Sequence, residues 1–388
     1  MPHALSQFQF LTAADLRFGR GVAHAALDAL AGLGGRLLLV QGHDGSRADW
    51  LVDALTDHGA VVCRFSVERE PDLPMIEAGL AVARGARVEA VIALGGGAVI
   101  DAGKALAGLI PSTRPIMDHL EVVGRGLPLE ARPLPFAAMP TTAGTGAEVT
   151  KNAVIAVPEA KRKVSLRDRH MLPDLALVDP SLTDHLPKPI TLASGLDAVT
   201  QVIEPFLSCK ANRLTDALCR DAIPQGLKAL VLLMERESKE ARDDLAWTSL
   251  CGGLALANAG LGAVHGFAGV LGGVTGAAHG AICGALLPHV LAANETALMR
   301  LSDQEAILAR MQAVRGWIAE AVDCDAQNAF DCLARWSQAQ GLPGLKALGL
   351  TAEMIGDVAE QSRISSSMKG NPVALDSDLL TGILGRAL

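Results

Sequence analysis

From Arg36 onward the chain alternates short β-branched or leucine-rich runs with longer segments whose apolar positions recur at helical spacing. The pattern predicts strands over Leu37–Val40, Val61–Val67, Glu89–Leu94 and Leu134–Ala138, and helices over Arg47–His58, Pro74–Arg84 and Ala98–Ile110. That order is the mark of βαβ units and a parallel sheet. After Ala147 the pattern changes: Asn152–Val157 and Lys163–Leu166 read as a hairpin, and Leu175–Val178 as a strand ending at Asp179-Pro180. Beyond Leu186-Pro187-Lys188-Pro189 no strand pattern recurs, and helical windows follow one another with glycine or proline between them, as at Gly341–Gly344. The expected architecture is an α/β nucleotide-type domain over residues 1–187 and an all-helical domain over residues 188–388, with no internal repeat.

Composition narrows the function classes. With 388 residues, 50% of them apolar and 20% charged, the chain is long enough for two cores and too apolar to be disordered. A net charge of −8 argues against a nucleic-acid partner, and 3% aromatic residues with no tyrosine leave no stacking surface for single strands. Small molecules recognised by backbone and short side chains are the expected partners. Seven cysteines, an odd number without a CxxC pair, exclude a disulfide framework and suit the reducing cytoplasm. The first 21 residues hold charges and no apolar core, so no signal peptide is expected. The uncharged stretch Leu245–Asn294 is interrupted by Asn258, His265, His279 and many glycines, which reads as buried helices and not as a membrane span.

Two loops carry candidate binding chemistry. Gly95-Gly96-Gly97 joins a buried strand to a helix, where bare main-chain N–H groups and the positive helix end suit a pyrophosphate. Ala98 follows, and Asp101 is expected in the helix's first turn, placed there either by the dipole or by a ligand. The alternative for the glycines is a tight strand-to-helix connection. Pro140 to Thr150 sets Thr141, Thr142, Thr145 and Thr150 after a strand's carboxyl end, where open parallel sheets bind ligands. Hydroxyls bonded to their own backbone are the alternative there.

A third group resembles a metal site. Asp197 and Gln201 share a helical face at i,i+4, and His265 and His279 lie in glycine-rich, uncharged surroundings. One carboxylate and two imidazoles suit a catalytic zinc or ferrous ion with an open position, whereas each residue taken alone also suits a satisfied core position.

Together these segments resemble the iron-containing (group III) alcohol dehydrogenase family. Gly95–Lys104 is similar to its GGGSxxDxxK turn, Pro140–Thr150 to its PTTAGTGSE loop, and Lys163–Pro180 to its hairpin and DP turn. Gly195–Glu204 is similar to its GxDAxxHxxE helix, Val264–Pro288 to its HGxxHxxG…HGxxxAxxLP stretch, and Asn371-Pro372 to its late NP pair. The resemblance implies a Rossmann-like dinucleotide-binding domain and an all-α domain, the architecture shared with dehydroquinate synthase, with cofactor and metal in the cleft between them.

It further implies an NAD(P)-dependent oxidoreductase interconverting an alcohol with an aldehyde or ketone, with Asp197, His265 and His279 catalytic through a divalent metal, Fe²⁺ or Zn²⁺. Gln201 stands where the family's first metal-ligating histidine would be, so the set Asp197, Gln201, His265 and His279 is expected to hold its ion weakly. Glycerol dehydrogenases of the family manage with three protein ligands. Gly269 replaces a histidine often placed near the nicotinamide, and Ala98 replaces the usual serine. Gly96, Gly97, Thr141, Thr142, Thr150 and Lys163 are expected to position the cofactor. At the ribose side, members favouring NAD carry an Asp where Gln41-Gly42 follows the first strand here. Gly42 leaves room for a 2′-phosphate, and Ser46 and Arg47 can bond it, which leans the expectation to NADP(H), with Asp44 opposing. A homodimer or larger homo-oligomer is expected. The competing readings are a metal-independent maleylacetate reductase-like enzyme, a dehydroquinate synthase-like lyase and a cofactor-binding protein without catalysis.

Overall fold

The computed structural model describes residues 7–388, and the chain forms two compact units. One spans Thr12–Asp184; the other comprises His185–Leu388 together with the described residues up to Leu11. The N-terminal stretch was expected in the sheet domain, but Leu11 exchanges bonds with the side chain of Asn258, its N–H donating at 2.6 Å and its carbonyl accepting at 2.9 Å.

In the first unit the order is β1 (Asp15–Phe18), α1 (Val22–Ala25), α2 (Leu27–Ala31), β2 (Arg36–Gly42), α3 (Asp49–Asp57), β3 (Val61–Val67), α4 (Leu73–Gly85) and β4 (Ala90–Gly95). There follow α5 (Gly97–Leu109), α6 (Ile116–His119), β5 (Phe136–Pro140), the hairpin β6 (Asn152–Val157) and β7 (Arg162–Arg167), and β8 (Leu175–Val178). Six strands form one parallel sheet in the order β1-β8-β5-β4-β2-β3, while β6 and β7 pair antiparallel by themselves.

Strand alternation divides the core. Leu38, Val40, Val91 and Ala93 enter one face with α4 and α5, and Leu37, Leu39, Ile92 and Leu94 the other with α2 and α3. The central strands are therefore apolar throughout, whereas edge strand β3 carries alternating exposed residues. The segment before α3 departs from the sequence pattern, closing as a 3₁₀ turn over Gly45–Ala48.

The second unit holds the helices α7 (Lys188–Leu207), α8 (Arg213–Glu235), α9 (Lys239–Ala259), α10 (Ala263–Thr275), α11 (His279–Leu298), α12 (Glu305–Ala321), α13 (Ala329–Ala339), α14 (Ile355–Arg363) and α15 (Ser377–Ala387). Among its described residues there is no strand, as the pattern predicts. Helix α7 is buried on nearly all sides from Leu192 onward, and its polar residues Asp197, Gln201 and Glu204 are buried with it. Helix α11 is long and apolar enough to cross a membrane by length and composition, but 78% of its most apolar window is buried within the chain.

Candidate functional site

In the sheet unit, the direction in which successive strands are added reverses between β2 and β4. After β2 the chain crosses outward to β3, and after β4 to β5 on the opposite side. The carboxyl ends of β2 and β4 thus flank a topological switch point, where open α/β sheets bind ligands. Gly42 ends β2, and Gly96 and Gly97 follow β4.

Gly96 caps α5 without any side-chain bond, so its first turn presents main-chain N–H groups. A Cβ on Gly97 would lie 2.7 Å from Thr145 Oγ1 and Cγ2, and one on Gly96 3.2 Å from Thr142 Oγ1. The glycine turn and the threonine loop therefore meet because both glycines lack a side chain. Thr141 joins them through its N–H to the Gly95 carbonyl at 3.0 Å, and Ala98 is half-buried beside them.

Several expected cofactor contacts have other partners. Asp101 lies in the second turn of α5, not the first, and its carboxylate accepts from the Val154 N–H at 3.1 Å. The Thr150 hydroxyl is buried, accepting from Lys104 Nζ at 2.9 Å and donating to the Ala147 carbonyl at 3.2 Å. Lys163 pairs with Glu70. Ser46 donates its hydroxyl to Asp44 Oδ1 at 2.6 Å. That bond is the main cause holding the exposed Asp44 carboxyl below its ordinary range. Arg47 is exposed.

Two residues without a sequence-assigned role organise these loops. Arg64 on β3 donates to the Gly45 carbonyl, to Gln41 Oε1 at 3.0 Å and to Asp49 Oδ1 at 2.8 Å, fixing the turn after β2. Lys104 is fully buried and also donates to the Ala147 and Asn152 carbonyls at 2.6 and 2.9 Å, tying α5 to the threonine loop and the hairpin. Burial pulls its ammonium down to about 8.

In the helical unit three expected residues come together. His265 Nε2 lies 3.5 Å from Asp197 Oδ1, and His279 Nε2 lies 3.7 Å from the same oxygen. The rings of the two histidines have centroids 5.3 Å apart. His265 sits in the first turn of α10 after a sharp break from α9, and His279 opens α11. Gly280 makes the second approach possible, since a Cβ there would be 2.3 Å from the Ala193 carbonyl oxygen on α7. Gln201 is buried one turn after Asp197, its side chain alongside Gly252 of α9.

Sequence reading assigned no role to Glu204 or Cys283. Glu204 Oε2 is 2.7 Å from His265 Nδ1 and accepts from the His265 N–H at 3.4 Å, while Oε1 accepts from the Val264 N–H at 2.7 Å. The carboxylate caps α10 and accepts from Nδ1, so Nε2 is the nitrogen that faces Asp197. Its place in the Gly195–Glu204 motif was the available signal. Cys283, one turn after His279, lies with Sγ 3.6 Å from His279 Nε2 and 3.9 Å from His265 Nε2. Asn371 braces the same region, accepting from the Ala263 N–H at 3.1 Å and pairing with Asn294.

Burial is the largest influence on Asp197 and raises its pKa, yet His279, His265 and Cys283 together hold it below the usual carboxylate range. Burial likewise opposes the charged form of both histidines, but the Cys283, Asp197 and Glu204 groups push His265 up, and Cys283 and Asp197 push His279 to about 9. Asp197 Oδ1 is nevertheless buried without a hydrogen-bond partner. An orphaned carboxylate oxygen facing two imidazole nitrogens is the donor arrangement a divalent metal satisfies.

The family model described as "Iron-containing alcohol dehydrogenase" matches residues 13–180, and that described as "Fe-containing alcohol dehydrogenase family, C-terminal" matches residues 191–388. Alcohol dehydrogenase 4 of Saccharomyces cerevisiae is 32% identical over 319 residues, 82% of this chain and 80% of that protein. A crystal structure of a 1,3-propanediol oxidoreductase superposes with a TM-score of 0.87 at 28% identity, covering 99% of this chain and 100% of that one. Sulfoacetaldehyde reductase from Bifidobacterium kashiwanohense, solved in complex with NAD⁺, gives a TM-score of 0.83 at 28% identity, covering 98% and 99%. With both halves matched in order, and with the sheet and helical units each built as those relatives require, this chain belongs to the iron-containing alcohol dehydrogenase family.

Proposed function

We propose that this oxidoreductase interconverts a small-molecule alcohol with its aldehyde or ketone by hydride transfer to and from NAD(P). The carrying observation is the convergence of Asp197 Oδ1, His265 Nε2 and His279 Nε2 around an otherwise unpartnered buried oxygen. These residues fit a divalent metal, which when bound supplies Lewis-acid charge to the substrate oxygen at which negative charge develops.

The chain's own groups do the rest. Asp197, His265 and His279 hold the ion, and Glu204 fixes the His265 tautomer. His279 keeps a third of its side chain exposed, so substrate reaches the site from its side. The N–H groups of Gly97 and Ala98 at the uncapped start of α5 take the pyrophosphate, flanked by the Thr141, Thr142 and Thr145 hydroxyls. Thr150 and Lys163 act indirectly, through their bonds to Lys104 and Glu70.

At the ribose side the proposal favours NADP(H). Open space surrounds the Gly42 Cα, and the exposed Arg47 guanidinium is available to a 2′-phosphate. Ser46, engaged by Asp44, leaves that set. All seven cysteines are free, which suits a reducing cytoplasm.

The metal-independent reductase reading leaves the orphaned Asp197 oxygen without a purpose. Metal analysis of the purified protein, with NAD(P)H oxidation by a panel of aldehydes before and after chelation, tests the proposal. Chelation is expected to abolish turnover and zinc or ferrous ion to restore it. Full activity in metal-free protein would replace this reading with the metal-independent one.

A further inference from the structure

We propose that Cys283 Sγ is a metal ligand, making the site a mixed Asp197–His265–His279–Cys283 set suited to zinc. The inference rests on the metal-site reading above and identifies the ion that this chain's own donors select.

Among the described residues these four are the one group of histidine, cysteine and carboxylate donors placed to share an ion, with all four donor atoms within 4.8 Å of one another. The two Asp197–imidazole edges measure 3.5 and 3.7 Å, and the two sulfur–imidazole edges 3.6 and 3.9 Å. Tetrahedral zinc, with bonds of about 2.0–2.1 Å to nitrogen, about 2.0–2.2 Å to oxygen and about 2.3 Å to sulfur, requires edges of roughly 3.3–3.5 Å and roughly 3.6 Å. The shorter edge of each kind, 3.5 and 3.6 Å, already meets these values, and the longer, 3.7 and 3.9 Å, exceeds them by a few tenths of an ångström, a contraction that side-chain torsions supply.

Two further observations point to the sulfur. Cys283 lies one turn after His279 on α11, so a single helix face presents both donors. The unpartnered Asp197 oxygen faces the same centre as the thiol.

A thiolate is a softer donor than an amide oxygen and shifts a site toward zinc, as in the Cys₂His zinc centres of other alcohol dehydrogenases. As the sulfur–metal bond forms, the thiol loses its proton to solvent, so metal uptake releases a proton. The exposed side of His279 would be the side from which a substrate oxygen approaches the bound ion.

X-ray absorption at the zinc edge of the zinc-loaded full chain tests this without relying on turnover. One sulfur scatterer at about 2.3 Å beside nitrogen and oxygen scatterers at about 2.0–2.1 Å is expected. Cys283→Ser and Cys283→Asn should each remove the sulfur and lower the preference for zinc over ferrous ion about tenfold or more, judged by competition for the metal-free protein. Cobalt loading gives a second readout, a thiolate-to-metal charge-transfer band in the wild type that both variants lose. Zinc bound by nitrogen and oxygen alone in the wild type would overturn the Cys283 assignment while leaving the metal site standing. Failure of the wild type to bind zinc, cobalt or ferrous ion would overturn both.

Discussion

The two units build their sites from different materials. In the sheet unit the candidate dinucleotide surface is mostly backbone: glycines at the ends of β2 and β4, an uncapped helix start and short hydroxyls. In the helical unit the site is made of side chains from α7, α10 and α11, with His265 oriented by Glu204. A backbone site loses little when one side chain is trimmed and fails when one is added. A side-chain site fails when one donor is removed. The consequences of substitution should therefore have opposite character in the two units.

The largest effect is expected from Asp197→Asn, which keeps shape and removes the charge that unites both imidazoles. Metal affinity should fall about 100-fold or more, beyond the roughly 10–100-fold cost of losing an outer partner, and activity should fall with it. Retention of metal by mass spectrometry would show that the histidines and Cys283 suffice. Glu204→Gln should follow at about 10–100-fold, because an amide N–H facing Nδ1 displaces the His265 proton to Nε2. A dissociation constant equal to the wild type's would remove Glu204 from the mechanism.

The same contrast governs what the sequence made readable. Strands β2, β4 and β8 follow from short apolar runs because a parallel sheet buried on both faces tolerates little else, and edge strand β3 follows from its β-branched and apolar residues. Strand β1 escaped because Asp15-Leu16-Arg17-Phe18 is a short edge strand with two charged residues and no buried position. On the helical side, Asp197, His265 and His279 are far apart in the chain, and the order of family motifs, not periodicity, joined them. Cys283 was silent for a physical reason. Cys219, Cys251 and Cys283 are all buried cysteines in apolar helices, and a core cysteine and a ligand cysteine differ only in what the sulfur faces. Burial pushes Cys251 up to about 12, the behaviour of an inert core thiol, whereas Cys283 lies beside two imidazoles.

Adding a methyl group tests the backbone site. In Gly97→Ala the new Cβ meets Thr145 at 2.7 Å, and the β-branched threonine has little rotamer freedom to retreat. Overpacking of this kind costs about 1–3 kcal/mol, more than the ~1 kcal/mol that alanine gains over glycine in a helix. The melting temperature should fall and the KM for the dinucleotide rise. Adding Thr145→Ala should recover most of the stability, since it removes both clashing atoms. Full stability in the single variant would mean that the two loops are not held together by this approach.

The smallest expected effect concerns cofactor choice, because it adds a charge where space already exists. Nothing lies within 4 Å of the position a Gly42 Cβ would take, and Gly42 is not among the glycines held at positive φ, so aspartate fits without strain. In Gly42→Asp the carboxylate can accept from a ribose 2′-hydroxyl and repels a 2′-phosphate. Asp44 does not substitute for it, since its carboxylate already takes the Ser46 hydroxyl and N–H. The ratio of kcat/KM for NADPH over NADH should exceed one in the wild type and fall roughly tenfold in the variant, the worth of about 1.4 kcal/mol. Arg47→Ala should lower the same ratio by removing the exposed guanidinium without touching NADH turnover. A wild-type preference for NADH would place recognition of the ribose elsewhere on the β2 turn, with Arg64, Gln41 and Gly45 as the groups that hold it in shape.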